Sequence, residues 1–115
     1  YLNTSLSNNL NYGIKDVKQT YWITCLILDP KFGITKEIFI KKMKRYKIDI
    51  RPMFYPLSSM PTFNNKKNDY SNINVNSYDL SKYGICLPNG NDFTESEVKY
   101  ICTSINKMMS KLKGS

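Results

Sequence analysis

A chain with no histidine has few routes to acid–base or nucleophilic chemistry near neutral pH. Ser/His/Asp and Cys/His sets are excluded, and so is any zinc site built on imidazole. Three cysteines remain, Cys25, Cys86 and Cys102, and none is spaced as Cys-x-x-Cys, so neither a zinc ribbon nor a thioredoxin-type motif fits. Cys25 and Cys86 fall in apolar strand-like runs and Cys102 on a helix. They read as reduced thiols of a cytoplasmic protein, with Cys25 an inert buried one. The carboxylates are spread over turns and caps. Only Glu95 and Glu97 lie close together, and a helix cap already accounts for them. No metal-binding loop is visible. The five glycines stand apart and form no phosphate cradle. No lysine has the apolar surroundings that a catalytic amine needs. On these grounds the chain catalyses nothing alone.

Arg51 is different. It precedes a proline at a predicted strand end, while nearly every other cation is an exposed-looking lysine. Its guanidinium suits a bidentate grip on a carboxylate or phosphate; equally, it suits pairing with a nearby carboxylate or capping loop carbonyls. It opens the least ordinary stretch of the chain, Arg51-Pro52-Met53-Phe54-Tyr55-Pro56-Leu57-Ser58-Ser59-Met60-Pro61. The prolines remove amide donors and fix φ, so the pattern predicts an extended, stiff loop. A rigid loop that carries aromatics and hydroxyls is suited to line a cleft.

The elements that must hold this loop follow from periodicity. Residues Tyr1–Asn11 are polar and read as a frayed helix end running into a linker, so residues 1–20 are set apart from a domain over 21–113. Tyr21–Leu28 is β-branched and aromatic with both faces apolar, which predicts a central strand. Thr35 caps a helix through Tyr46 with Phe39, Met43 and Tyr46 on its apolar face; its lysines read as a solvated surface. Ile48-Asp49-Ile50 is expected to be a short strand. Residues Thr62–Asn76 read as an exposed excursion, followed by a helical turn over Ser77–Ser81. Gly84–Pro88 is a second buried strand. Thr94-Glu95-Ser96-Glu97 is a capping box that opens a last helix, with Val98, Ile101, Ile105, Met108 and Leu112 on one face. The sum is an α+β fold, a small strand–helix–strand–strand–helix layer.

At 115 residues and 13.4 kDa, one domain is expected. The longest unbroken apolar run is far below the ~20 residues of a membrane helix, and no signal peptide opens the chain, so neither spanning nor secretion is expected. The start at Tyr1 and the closing Gly114-Ser115, which reads as a linker scar, suggest a domain cut from a larger protein. The net charge of +8 invites a second reading, a stand-alone basic module that holds single-stranded nucleic acid or an anionic surface. Yet 15 of the 17 cations are lysine and asparagine reaches 13. That pairing looks like AT-rich coding drift, since Arg is the residue that forks onto phosphates. A third reading is a domain kept only for dimer contacts and stability.

Tyr21-Trp22 at a strand start, Gly33-Ile34-Thr35 before a helix, and Ile48–Leu57 with its Arg-Pro-x-Phe-Tyr-Pro-Leu string carry a family resemblance. Together with Gly84–Gly90 and the Thr94 cap, they resemble the small C-terminal domain of the DegT/DnrJ/EryC1/StrS aminotransferases. The likeness covers roughly residues 12–112. The Pro56–Pro61 variant is most similar to perosamine-synthase-type members. Many relatives carry a histidine where Ser58 stands, so any role of that histidine is missing here.

The resemblance implies a parent enzyme of aminotransferase fold type I, dimeric and cytoplasmic, serving cell-surface polysaccharide synthesis. It would move an amino group from glutamate to a nucleotide-linked keto sugar, of the 4-keto-6-deoxy type, with pyridoxal phosphate as electron sink. The Schiff-base lysine, the pyridinium carboxylate and the phosphate loop belong to the family's large N-terminal domain and have no matching positions here. The implied partners are that domain, a second subunit and the nucleotide sugar. The implied substrate-facing residues are Arg51, Tyr55, Ser58 and Ser59, and no cofactor is expected on this chain itself.

Overall fold

Thr94 and Glu97 bond each other's backbone as the Thr-x-x-Glu spacing requires. The Glu97 N–H donates to Thr94 Oγ1 at 3.3 Å, and the Thr94 N–H donates to Glu97 Oε2 at 2.8 Å. From this cap α3 runs over Glu95–Lys113, in a computed structural model that describes residues 15, 16, 18, 20–63 and 69–113. Buried Ile101, Ile105 and Met108 recur at helical spacing and form its inner face. Thr35 caps α1 (Lys36–Lys44) by accepting from the Ile38 N–H at 3.3 Å. The chain leaves α1 through Lys47 in a left-handed conformation, φ 57°. There the Ile48 N–H returns to the Met43 carbonyl at 3.2 Å, a Schellman closure at a place usually given to glycine.

Three strands pair antiparallel in the order β1-β3-β2. They are β1 (Thr24–Ile27), β2 (Arg51–Pro52) and β3 (Gly84–Leu87). The central position therefore belongs to β3 and not to the Tyr21–Leu28 run, which supplies an edge strand. That run also pairs late, because Tyr21 takes φ 52° and both Tyr21 and Trp22 are exposed.

The strand expected at Ile48-Asp49-Ile50 is displaced to Arg51–Pro52. Ile48 and Ile50 are buried about an exposed Asp49, as a strand would have them. But the Ile48 N–H is committed to the helix cap. Pairing begins at Arg51 opposite Cys86 and runs on to the Met53 N–H, which meets the Gly84 carbonyl at 3.0 Å. Pro52 faces Ile85 in the adjoining non-hydrogen-bonded pair, so its missing N–H costs nothing.

The proline-rich loop is not extended throughout, since Leu57–Ser59 closes a 3₁₀ turn. Residues 64–68 of the expected excursion lie outside the described residues. So do most of the 1–20 linker and Gly114-Ser115. The helical turn expected over 77–81 is a full helix, α2 (Val75–Tyr83). The fold is α+β, with α2 added to the expected order. Leu26 and Leu28 of the β1 run, Ile85 and Leu87 of β3, Phe39 and Met43 of α1, and Ile105 of α3 share one core. Helices α1 and α3 thus cover one face of the sheet. On the other face Cys25, Ile27 and Cys86 are only half-buried.

No loop separates α2 from the central strand. The Gly84 N–H still closes the helix on the Leu80 carbonyl, while its own carbonyl already serves β2. One residue earlier, the Tyr83 carbonyl accepts from the Leu28 N–H at 2.9 Å. Gly84 is needed here for space, because a Cβ would stand 2.3 Å from the Leu80 carbonyl oxygen and 2.8 Å from Met53 Cβ. Gly84→Ala is expected to cost about 2–3 kcal/mol, read as a lower urea midpoint with unchanged slope.

The α3 cap carries a pH dependence. The Thr94 backbone N–H, and then its side chain, hold the Glu97 carboxyl below its usual 4.5. A carboxylate with a depressed folded value stabilises fully above 4.5, and that contribution is lost as pH falls through the folded value. Glu97→Gln should therefore flatten the acid limb of stability below pH 4.5, measured by urea unfolding at several pH values.

Candidate functional site

Strand β2 holds Arg51 opposite Cys86 of β3 and exposes its side chain. The guanidinium pairs with Asp49 Oδ2 at 2.8 Å, and the two side chains are 76% and 61% exposed. A pair so open to water contributes little stability, on the order of 0–1 kcal/mol. Arg51 borders a cleft of about 360 Å³ with Trp22, Asp49, Phe54, Cys86 and Asn89. Asn89 shapes its rim, since its amide donates to the Tyr21 carbonyl and to the Trp22 carbonyl at 3.1 Å. This anchors the strained approach to β1 and presents Trp22 beside Arg51.

Tyr55, Ser58 and Ser59 follow in the proline-rich loop, outside that cleft. Tyr55 is 70% exposed, with the Lys36 ammonium 6.0 Å from its ring centroid. The same ammonium donates to the Ser81 carbonyl near the end of α2. That contact satisfies a carbonyl the helix leaves without an internal partner. Ser58 Oγ is 3.4 Å from Tyr78 Oη and accepts from Asn74 Nδ2 at 3.2 Å. Ser59 spends its hydroxyl locally, donating to the Pro56 carbonyl at 2.7 Å. The loop is thus pinned to α2 at Ser58 and to α1 through Lys36, while Phe54, Tyr55 and Leu57 stay exposed. Arg51 and the two serines do not share one cavity.

Sequence reasoning missed the residues that shape and support this surface. Lys36 belongs by residue type with the other lysines of α1, but it is half-buried and bridges two elements. Tyr78 and Asn74 sit in or beside a stretch that looked like polar excursion. Asn89 follows Pro88 at the end of the second strand run and carries no local mark of a role. Trp22, expected inside a strand, is 75% exposed.

A second cavity, about 430 Å³, opens between α3 and the α1–β2 connection, lined by Lys47, Ile48, Phe93, Glu97 and Tyr100. It touches none of the candidate residues except through Asp49, the partner of Arg51. Tyr100 closes part of it by donating to the Tyr46 carbonyl at 2.9 Å.

The described residues do not fit pyridoxal phosphate. None of the lysines among residues 15–111 of this set is buried, and the carboxylates are exposed or, at Asp29, half-buried. The N-terminus of α3, a natural anion site, is already filled by Thr94 and Glu97. Among the described residues there is no cluster of three or more His, Cys, Asp or Glu able to hold a metal, and no helix long and apolar enough to cross a membrane.

The three-stranded antiparallel sheet with α1 and α3 on one face thus carries a stiff aromatic loop beside an arginine. A structure described as a sugar aminotransferase from Streptococcus pneumoniae in its PMP form superposes with a TM-score of 0.72. The overlay covers 90% of this chain and 27% of that one, at 15% identity. The sequence profile of the DegT/DnrJ/EryC1/StrS aminotransferase family matches residues 3–106, and the chain belongs to that family. It is 31% identical to a GDP-perosamine synthase of Vibrio cholerae over 75% of its length, and 31% identical to one of Escherichia coli O157:H7 over 84%. It spans about a quarter of the length of either relative, 23% and 25%. Family membership implies pyridoxal phosphate in the parent aminotransferase. None of these comparisons supports a stand-alone basic binding module.

Proposed function

We propose that this chain is the C-terminal small domain of a longer, cytoplasmic, dimeric aminotransferase. The enzyme transfers an amino group from glutamate to a nucleotide-linked keto sugar of the 4-keto-6-deoxy kind, for cell-surface polysaccharide. The chain is not catalytic alone. Its part is to form one wall of the substrate cleft. The observation that carries this reading is the surface built by Trp22, Phe54, Tyr55 and Leu57, between 65% and 75% exposed on a rigid frame. Aromatic residues held open to water by prolines and helix anchors are what an incomplete cleft presents. The similarity to two GDP-perosamine synthases supports the sugar-nucleotide class of substrate.

The cofactor, when bound in the parent, supplies the electron sink for amino transfer. This chain's residues bind and orient. Arg51 is free to exchange its exposed Asp49 partner for an anionic group of a substrate, because that ion pair is worth little in water, while a bidentate charge-assisted grip on a carboxylate or phosphate is stronger. Tyr55 and Ser58 offer hydroxyls toward the sugar. Ser59 contributes by keeping the turn closed on Pro56. The aromatic rings exclude water from the sugar-facing side, which strengthens each polar contact made there.

In the longer enzyme, Tyr55→Phe with Ser58→Ala should lower kcat/KM for the nucleotide sugar by about 10-fold or more, the loss of one or two hydrogen bonds. The rate with the amino donor alone should hold steady. An unchanged sugar specificity constant would remove these residues from the cleft.

A further inference from the structure

The register of β1 on β3 sets Cys25 directly opposite Cys86. Which kind of pair this is follows from the neighbouring bonds. The Leu28 N–H donates to the Tyr83 carbonyl, so 28–83 is a hydrogen-bonded pair. Along an antiparallel ladder the two kinds alternate, which makes Leu26–Ile85 hydrogen-bonded and Cys25–Cys86 non-hydrogen-bonded. The other side of β3 agrees: the Gly84 carbonyl accepts from Met53 of the β2 run, so Cys86 also turns its backbone groups toward Arg51 and away from Cys25. Residues in a non-hydrogen-bonded pair stand with Cα atoms about 4.5 Å apart and side chains close together. That lies inside the span of ~4.4–6.8 Å that a disulfide bridges.

The side chains meet this condition. Both cysteines carry thiols, half-buried on the sheet face away from the core, and the Cys86 thiol adjoins that of Cys25. Met53 Sδ lies 4.0 Å from Cys86 Sγ on the opposite side. Cys102, by contrast, is buried on α3. We propose that Cys25 and Cys86 are a redox-active pair, which a low-molecular-weight disulfide converts to a cross-strand disulfide stapling the edge strand β1 to the central strand.

The exchange proceeds in two displacements. One cysteine, as thiolate, attacks a sulfur of the oxidant, forms a mixed disulfide and releases one small thiolate. The second cysteine, as thiolate, attacks the protein-side sulfur, forms the Cys25–Cys86 bond and expels the other small thiolate. The two protons given up by the cysteines end on the two released thiols, and two electrons pass from the cysteine pair to the oxidant. Burial, and then the adjoining Cys25, push the Cys86 thiol up to about 11. It therefore remains a thiol near neutral pH, and the pair reacts slowly, as a reserve and not as a catalytic centre. The site is independent of the substrate reading, although Cys86 borders the Arg51 cleft and its closure would be felt there.

The test is to incubate the full chain with oxidised glutathione, alkylate the remaining thiols under native and then denaturing conditions, and map the peptides by mass. The expected product is lighter by about 2 Da, the two hydrogens lost on disulfide formation, with Cys25 and Cys86 in one linked peptide pair and Cys102 alone alkylated. The oxidised chain should also melt higher than the reduced one, by about 8–16 °C for a closed loop of this length. Cys86→Ser should instead trap a lasting glutathione adduct on Cys25. Separate adducts on Cys25 and Cys86 with no link between them would overturn the proposal. Chains joined through Cys102 while both strand cysteines remain alkylatable would do so too. An oxidised form that melts below the reduced one would show that the link distorts the strands, and would equally overturn it. The wild-type peptide map decides the matter even if the variant does not fold.

Discussion

The fold depends on one backbone junction, the passage from α2 into β3 at Tyr83-Gly84. Within two residues the chain ends a helix, begins the central strand, and offers carbonyls to the strand runs on both sides. The Tyr83 carbonyl holds the β1 run at Leu28, and the Gly84 carbonyl holds the β2 run at Met53. The helix end is satisfied at the same place by the Gly84 N–H and by the Lys36 ammonium on Ser81. Buried helix ends need such partners, because an unmet carbonyl costs as much as a lost hydrogen bond. No side chain larger than hydrogen can stand at Gly84 while these contacts are kept. The relative positions of α1, α2 and the three strands all pass through this point.

The candidate surface inherits its rigidity from that junction. Met53 is hydrogen-bonded to Gly84, and from it the prolines carry Phe54, Tyr55 and Leu57 outward in a fixed path. The loop is then tied back twice: Ser58 reaches Tyr78 and Asn74 around the start of α2, and Tyr55 lies under the ammonium that caps the end of α2. Arg51 lies two residues before Met53, so its side chain emerges where β2 and the cleft meet. Exposed aromatics are costly for an isolated domain. Their cost is offset if the same surface is covered in a larger enzyme, as a chain spanning a quarter of its relatives' length suggests.

Features with a local cause were legible in the sequence. Thr94 and Glu97 announce α3, and Thr35 announces α1, because a cap is made by residues three apart. The buried positions of α3 follow from a period any helix obeys. The Arg-Pro-x-Phe-Tyr-Pro-Leu string carried the family, and its prolines fixed the stiffness of the loop. What escaped notice depends on residues far apart in sequence. Tyr21–Leu28 is a longer apolar run than Gly84–Leu87, yet β3 takes the centre, because only there do partners on both sides find matching carbonyls. Ile48–Ile50 alternates like a strand but lost its first amide to a helix cap. Lys36 looks like its neighbours Lys41 and Lys42, and nothing local marks it as the bridge between α1 and α2. In the site, Arg51 and the aromatic loop were visible from residue type, while Trp22, Asn89, Asn74 and Tyr78 reach it only through tertiary contacts.

The central claim is that this chain works as one domain of a cofactor-bearing sugar aminotransferase whose cofactor sits elsewhere in the protein. The most direct measurement is made on the product of the complete reading frame that encodes it. The purified protein would be examined for visible absorption, reduced with borohydride and mapped by mass for a pyridoxyl group. The account predicts a visible band that reduction abolishes, and a pyridoxyl group fixed on one lysine outside these 115 residues. No band and no adduct, or an adduct on a lysine within them, would contradict it.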